Sequence, residues 1–182
     1  MIIAITVTGK DRPGIIATLT GCIVRVGGNL EDASMTILEG EFAMIFLASL
    51  KVSRALRRLE QEFRRLSKKL GLSIVTRIIK RKLARGEKHR QGTKPWVASV
   101  FGRDRAGIVH AVSKAFADEG VNITDLNSRI LGRGKSASYA LMIEADVPTG
   151  RRAAVQMARK LRVLEKRLKV KISLHPVESA YL

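Results

Sequence analysis

Thirty residues near the start of the chain recur 93 positions later, and this repeat constrains the fold more than any other feature. Asp11-Arg12-Pro13-Gly14-Ile15 returns as Asp104-Arg105-Ala106-Gly107-Ile108, and Gly27, Asn29 and Asp32 return as Gly120, Asn122 and Asp125. Val7 and Gly9 match Val100 and Gly102 at the same offset. Between positions 3–32 and 96–125, nine of 30 pairs are identical, and they concentrate at Gly, Asp and Asn, types selected for backbone geometry. The chain is a duplication, so a fold that suits one half must suit the other.

Each half carries the same succession of patterns. Ile3, Ile5 and Val7 alternate with smaller residues, as in a half-buried strand. Ile15, Leu19, Cys22, Ile23 and Val26 share one helical face, and Gly27-Gly28 ends that helix. Two strands follow at about 30–38 and 42–50, joined by a tight turn at Glu39-Gly40. Leu56, Leu59, Phe63, Leu66 and Leu70 mark a second helix that stops at Gly71, and positions 72–79 form a β-branched last strand. In the second copy Met157, Leu161, Leu164 and Leu168 repeat the helical spacing, and positions 170–177 close the unit. The order βαββαβ, with right-handed crossovers, predicts an α+β fold: two tandem ferredoxin-like units, each a four-stranded antiparallel sheet with two helices on one face. We expect domains at 1–79 and 95–182 with a basic linker at 80–94. Each unit leaves a sheet face and an edge uncovered, so a homodimer is expected.

Composition excludes several classes. The longest uncharged stretch, Pro13 to Val24, has 12 residues, too short for the roughly 20 that a spanning helix needs. Met1-Ile2-Ile3 runs straight into a strand, so no signal peptide is expected. A single cysteine, Cys22, fits a reducing cytoplasm. Catalysis is not expected, because His89, His110 and His175 lack partners at triad or ligand spacing, and no metal or cofactor is expected either. The net charge of +18 points to anionic partners, and a third of the excess sits in residues 79–94.

The repeated loop has a chemistry of its own. Asp11 can cap the helix start, Pro13 suits a first helical turn, and Gly14 leaves room for close approach. A helix N-terminus with free N–H groups beside a bare glycine is an anion site suited to a carboxylate. The amide of Asn29 donates and accepts, which suits a zwitterion. The same residues also read as a well-capped helix start and a turn-forming asparagine.

Asp-Arg-Pro-Gly-Ile-Ile after a first strand, followed by Gly-Gly-Asn-Leu-Glu-Asp-Ala-Ser-Met, resembles the ACT domain, a small-molecule sensing module of amino-acid metabolism. The second copy's Asp-Arg-Ala-Gly-Ile-Val and Gly-Val-Asn-Ile-Thr-Asp fit the same pattern. Two such domains in tandem resemble the glycine cleavage system transcriptional repressor family. The resemblance implies a non-enzymatic regulator of transcription or amino-acid metabolism, with a small amino acid held between paired domains. Carried over by position, its ligand residues are Asp11, Arg12, Pro13, Gly14, Ile15 and Asn29, with Asp104, Arg105, Gly107, Ile108 and Asn122. Ala106 replaces the proline of the first copy and loosens the second loop. The hairpin at Gly132-Arg133-Gly134-Lys135 is about three residues longer than its counterpart.

Two alternatives share the charge and the fold. Lys80, Arg81, Lys82, Arg85, Lys88 and Arg90 form a basic segment that could neutralise phosphates. Arg57, Arg58, Arg64, Arg65, Lys68 and Lys69 add a basic helix face, echoed by Arg159, Lys160, Arg162, Lys166 and Arg167. Against nucleic acid stand the lack of a helix-turn-helix, zinc-finger or aromatic stacking pattern. The other alternative is a regulatory partner that docks on an enzyme.

Overall fold

The computed structural model describes residues 1–80, 89–134 and 137–177. The first unit runs β1 (Ile2–Lys10), α1 (Ile15–Arg25), β2 (Asn29–Leu38), β3 (Glu41–Ser49), α2 (Ser53–Leu70) and β4 (Ser73–Ile79). The second runs β5 (Thr93–Arg103), α3 (Ile108–Asp118), β6 (Asn122–Leu131), β7 (Ser138–Pro148), α4 (Arg151–Leu168) and β8 (Val170–Pro176). Strand order is β2-β3-β1-β4 in one sheet and β6-β7-β5-β8 in the other, with neighbours antiparallel throughout. This is the ferredoxin-like arrangement expected of each repeat.

The alternation in β1 decides which face is covered. Ile3, Ile5 and Val7 are buried with Ile15, Leu19 and Ile23 of α1 and Leu59, Phe63 and Leu66 of α2, while Thr6 and Thr8 face away from the helices and stay exposed. The second unit repeats this with Ala98, Val100, Val112, Phe116, Met157 and Leu161. At Glu39 and Gly40 both φ values are positive, 50° and 81°, as a two-residue type I′ hairpin requires. The repeated Gly9 and Gly102 are places of close approach. A Cβ at Gly9 would lie 2.7 Å from Leu72 Cδ2, and one at Gly102 would lie 2.8 Å from Val170 Cγ1.

The chain divides into two compact units, Met1–Leu83 and Ala84–Leu182. Of the basic stretch expected to link them, Arg81, Lys82, Arg85 and Lys88 lie outside the described residues, as does Lys135 of the long hairpin. Lys80, His89 and Arg90 are described, and the last two belong structurally to the second unit, as shown below. No helix among the described residues is long and apolar enough to cross a membrane.

Candidate functional site

Both repeated loops follow an edge-proximal strand and are pinned before the helix begins. The Asp11 N–H donates to the Gly40 carbonyl at 2.8 Å, and the Asp104 N–H donates to the Ala137 carbonyl at 3.3 Å. Gly14 and Gly107 then occupy the helix N-cap positions at φ 89°, ψ −2° and φ 91°, ψ −1°. Neither helix start has a side-chain cap, so the capping role expected of Asp11 is not what the structure shows. Pro13 likewise precedes the N-cap instead of opening the first turn. Gly14 is demanded by its left-handed backbone and not by crowding, because a Cβ there or at Gly107 meets nothing within 4 Å.

The consequence is chemical. The first intrahelical bonds are Thr18 N–H to Gly14 and Ala111 N–H to Gly107, so the preceding amides of each helix keep free donors at an exposed terminus. With no acidic side chain in either first turn, the positive end of the helix dipole is unneutralised. Asp11, Arg12, Pro13, Asp104 and Arg105 are exposed around these termini. Ile15 and Ile108 are each 2 % exposed and spend their side chains on the core, leaving only backbone to offer a ligand. Arg12 is occupied elsewhere, donating from Nη2 to the Leu70 carbonyl at 2.6 Å. That bond satisfies a carbonyl at the α2 C-terminus, where a cation also suits the helix dipole.

Asn29 and Asn122 are not brought to these loops within their own units. Asn29 opens β2 opposite Ser49, which pairs with Ile2 at the start of β1, whereas the loop leaves β1 at Lys10, opposite Glu41. The asparagine and the loop therefore lie at opposite ends of a nine-residue strand, about 26 Å apart at 3.3 Å per residue. Asn122 has the same placement, opposite Asp146. Both asparagines are exposed. The repeated Asp32 and Asp125 have a local job. Each sits at a register shift in its edge strand and accepts the next residue's N–H, Ala33 at 2.8 Å and Leu126 at 2.9 Å.

Sequence reasoning missed one polar cluster altogether. Asp146 is 2 % exposed, on the helix-free face of the second sheet. Its carboxylate meets His89 Nδ1 at 2.7 Å and accepts the Arg90 N–H at 3.0 Å. His89 Nε2 lies 3.6 Å from Glu144 on the same strand. The signal was invisible because the partners are 56 and 57 residues apart. Asp146→Ala strands the Arg90 N–H and His89, and we expect it to destabilise the second unit by about 2 kcal/mol, with Asp146→Asn costing less because it retains an acceptor. Trp96, the only tryptophan of the chain and a β5 residue facing Ala145, reports this in urea unfolding. A change below about 0.5 kcal/mol for the alanine variant means that the clasp holds nothing.

Between α1 and α2 lies a groove of about 380 Å³ lined by Thr18, Cys22, Arg25, Glu62 and Leu66 among others. Arg25 bridges to Glu62 at 2.6 Å and holds that carboxyl below the usual carboxylate range. Burial, assisted by Glu62, pushes the Cys22 thiol up, so it stays protonated and is a poor nucleophile. No group of three His, Cys, Asp or Glu among the described residues is placed to hold a metal ion.

Comparison with known proteins accounts for both halves. Residues 1–77 and residues 96–162 each match a family model of the ACT domain. A UPF0237 protein of Methanopyrus kandleri is 33% identical over 72 residues, covering 39% of this chain and 80% of that protein. A UPF0237 protein of Streptococcus mutans is 36% identical over 70 residues, covering 38% and 80%. A solved structure of an unknown protein from Galdieria sulphuraria is 25% identical, with a TM-score of 0.79 over 97% of this chain and 98% of that one. A second, designated a candidate glycine cleavage system transcriptional repressor, shares the fold with a TM-score of 0.70 at 20% identity, over 98% of each chain. With both repeats matched and both sheets in the same order, the chain belongs to the ACT-domain family as a tandem pair of ACT domains.

Proposed function

We propose that this chain is a non-enzymatic regulatory protein of the cytoplasm that binds a small amino acid at the Asp11–Ile15 and Asp104–Ile108 loops. The observation that carries the reading is the pair of uncapped helix N-termini, each opened by a left-handed glycine and each in an ACT domain. The ligand carboxylate meets the free N–H groups beside Gly14 or Gly107, where the dipole favours negative charge. Its ammonium group is met by an Asn29 or Asn122 oxygen from a second copy of the chain, since the asparagine of the same unit stands a strand's length away. A homodimer is supported by β2, an edge strand exposed at nearly every position, including Met35, Ile37 and Leu38. Binding then biases the packing of the copies by about 1–3 kcal/mol, and a transcriptional or metabolic partner reads that shift.

A thermal-shift screen of the twenty amino acids tests this, since a ligand at a hundred times its Kd adds about 2.7 kcal/mol. Calorimetry with the hit then compares a Gly14→Asp, Gly107→Asp protein with the matched Gly→Asn protein. Both side chains tolerate the left-handed backbone and have the same bulk, but only aspartate repels a carboxylate. We expect the aspartate form to bind at least about tenfold more weakly than the asparagine form, a difference of about 1.4 kcal/mol. Equal affinities overturn the proposed carboxylate site.

A further inference from the structure

The outer face of α2 is a cation stripe that amino-acid sensing does not use. Arg54, then Arg57 and Arg58, Arg64 and Arg65, and finally Lys68 and Lys69 are all exposed. At 100° per residue these seven fall within an arc of about 140°, with only Gln61 among them. The two acids of the helix stand at the margins of that arc and are engaged elsewhere, Glu62 with Arg25 and Glu60 as acceptor for Thr76. None of the seven cations makes an ion pair or side-chain hydrogen bond among the described residues. The opposite side of the helix is committed to the core through Ala55, Leu59, Phe63 and Leu66, so it has no apolar face left to enter a lipid surface.

Solvation of an outer helix face does not account for this purity. On α4, in the equivalent place of the second unit, exposed Val155 and Val163 and Gln156 interrupt the basic residues. The stripe is a property of one helix and not of the fold.

We infer that α2 is a docking surface for the phosphate backbone of duplex DNA. From Arg54 to Lys69 the helix rises about 22 Å, so its seven cations average one per roughly 4 Å of helix axis. Each strand of a duplex carries one phosphate per about 3.4 Å of duplex axis, so the linear charge density of the stripe is close to that of one strand projected on the axis. The stripe has no aromatic side chain for stacking bases, which separates it from a single-strand platform. Recognition is accordingly independent of sequence, with the stripe reading charge and spacing alone.

Fluorescence anisotropy of a labelled 20-base-pair duplex with the full-length protein tests the assignment. Engagement of five or six cations gives a slope of log K against log salt of about −5, or a thousandfold loss of affinity between about 50 and 200 mM salt. Arg57→Gln, Arg64→Gln and Lys68→Gln together should flatten the slope by about 2.7, while Arg159→Gln, Arg162→Gln and Lys166→Gln in α4 leave it unchanged. Far-UV circular dichroism confirms that both variants fold. The inference is overturned if the α2 variant binds like the parent or if the two variants lose affinity equally. Binding of a single strand or of phosphatidylserine vesicles as tightly as the duplex also overturns it.

Discussion

Phe46→Ala is expected to destabilise the first unit by about 3–5 kcal/mol, the range for emptying a buried aromatic site. Phe46 is 1 % exposed at the middle of β3, opposite Ile5 on β1 and Ala33 on β2. It belongs to the buried apolar cluster that also holds Ile3, Ile5, Leu19 and Leu59. Aromatics number only eight in the chain, so neighbouring aliphatic side chains must fill any void by moving off their rotamers. Chemical denaturation followed by far-UV circular dichroism measures the loss. A cost under about 1 kcal/mol means that the site collapses freely and that the core is not packed as described.

Adding atoms at Gly28 should be nearly as damaging. A Cβ there would stand 2.7 Å from Leu50 Cδ2, 2.9 Å from Ile23 Cγ2 and 3.0 Å from the Ser49 carbonyl oxygen. Leu50 and Ile23 are 2 % and 1 % exposed, so neither has space to retreat. The second unit solves the same corner differently. Val121 stands in the place of Gly28, and Val147 stands in the place of Leu50, one residue beyond the strand position that faces the repeated asparagine. Gly28→Val alone should cost about 1–3 kcal/mol through overpacking. Adding Leu50→Val should recover part of that loss, because the pair reproduces the arrangement that the second unit already tolerates. Strictly additive losses in the double variant would show that the two sites do not share the space.

Much of the architecture was legible because its determinants are short-range. The alternation of Ile3, Ile5 and Val7, the 3–4 spacing from Leu56 to Leu70, and the left-handed residues at Glu39-Gly40 and Gly71 each act within a turn or a strand. The duplication doubled every such signal, so two weak readings of one pattern became a firm one. The observed strand limits, Asn29–Leu38 and Glu41–Ser49, depart from expectation by a single residue.

The site was legible only in part, for a reason that Asp11, Gly14 and Asn29 make plain. Spacing marked the loop as special, but Asp11 makes no side-chain cap, and Gly14 takes its left-handed φ of 89° with open space where a Cβ would stand. The crowded glycines are Gly9, Gly28 and Gly102, whose obstructing partners include Leu72, Leu50 and Val170. Arg12 donates to the carbonyl of Leu70, a partner 58 residues away that no local spacing records. The sequence by itself determined the elements, their order and their duplicated loops, because helix and strand periodicity and turn chemistry are encoded by neighbours. Only the tertiary structure decided that Asn29 stands a full strand from its loop, that Asp146 is sealed by His89 and Arg90, and which glycines touch anything. Those outcomes depend on strand register and on contacts between segments from 22 to 68 residues apart, and no local pattern records which distant atom will arrive at a given side chain.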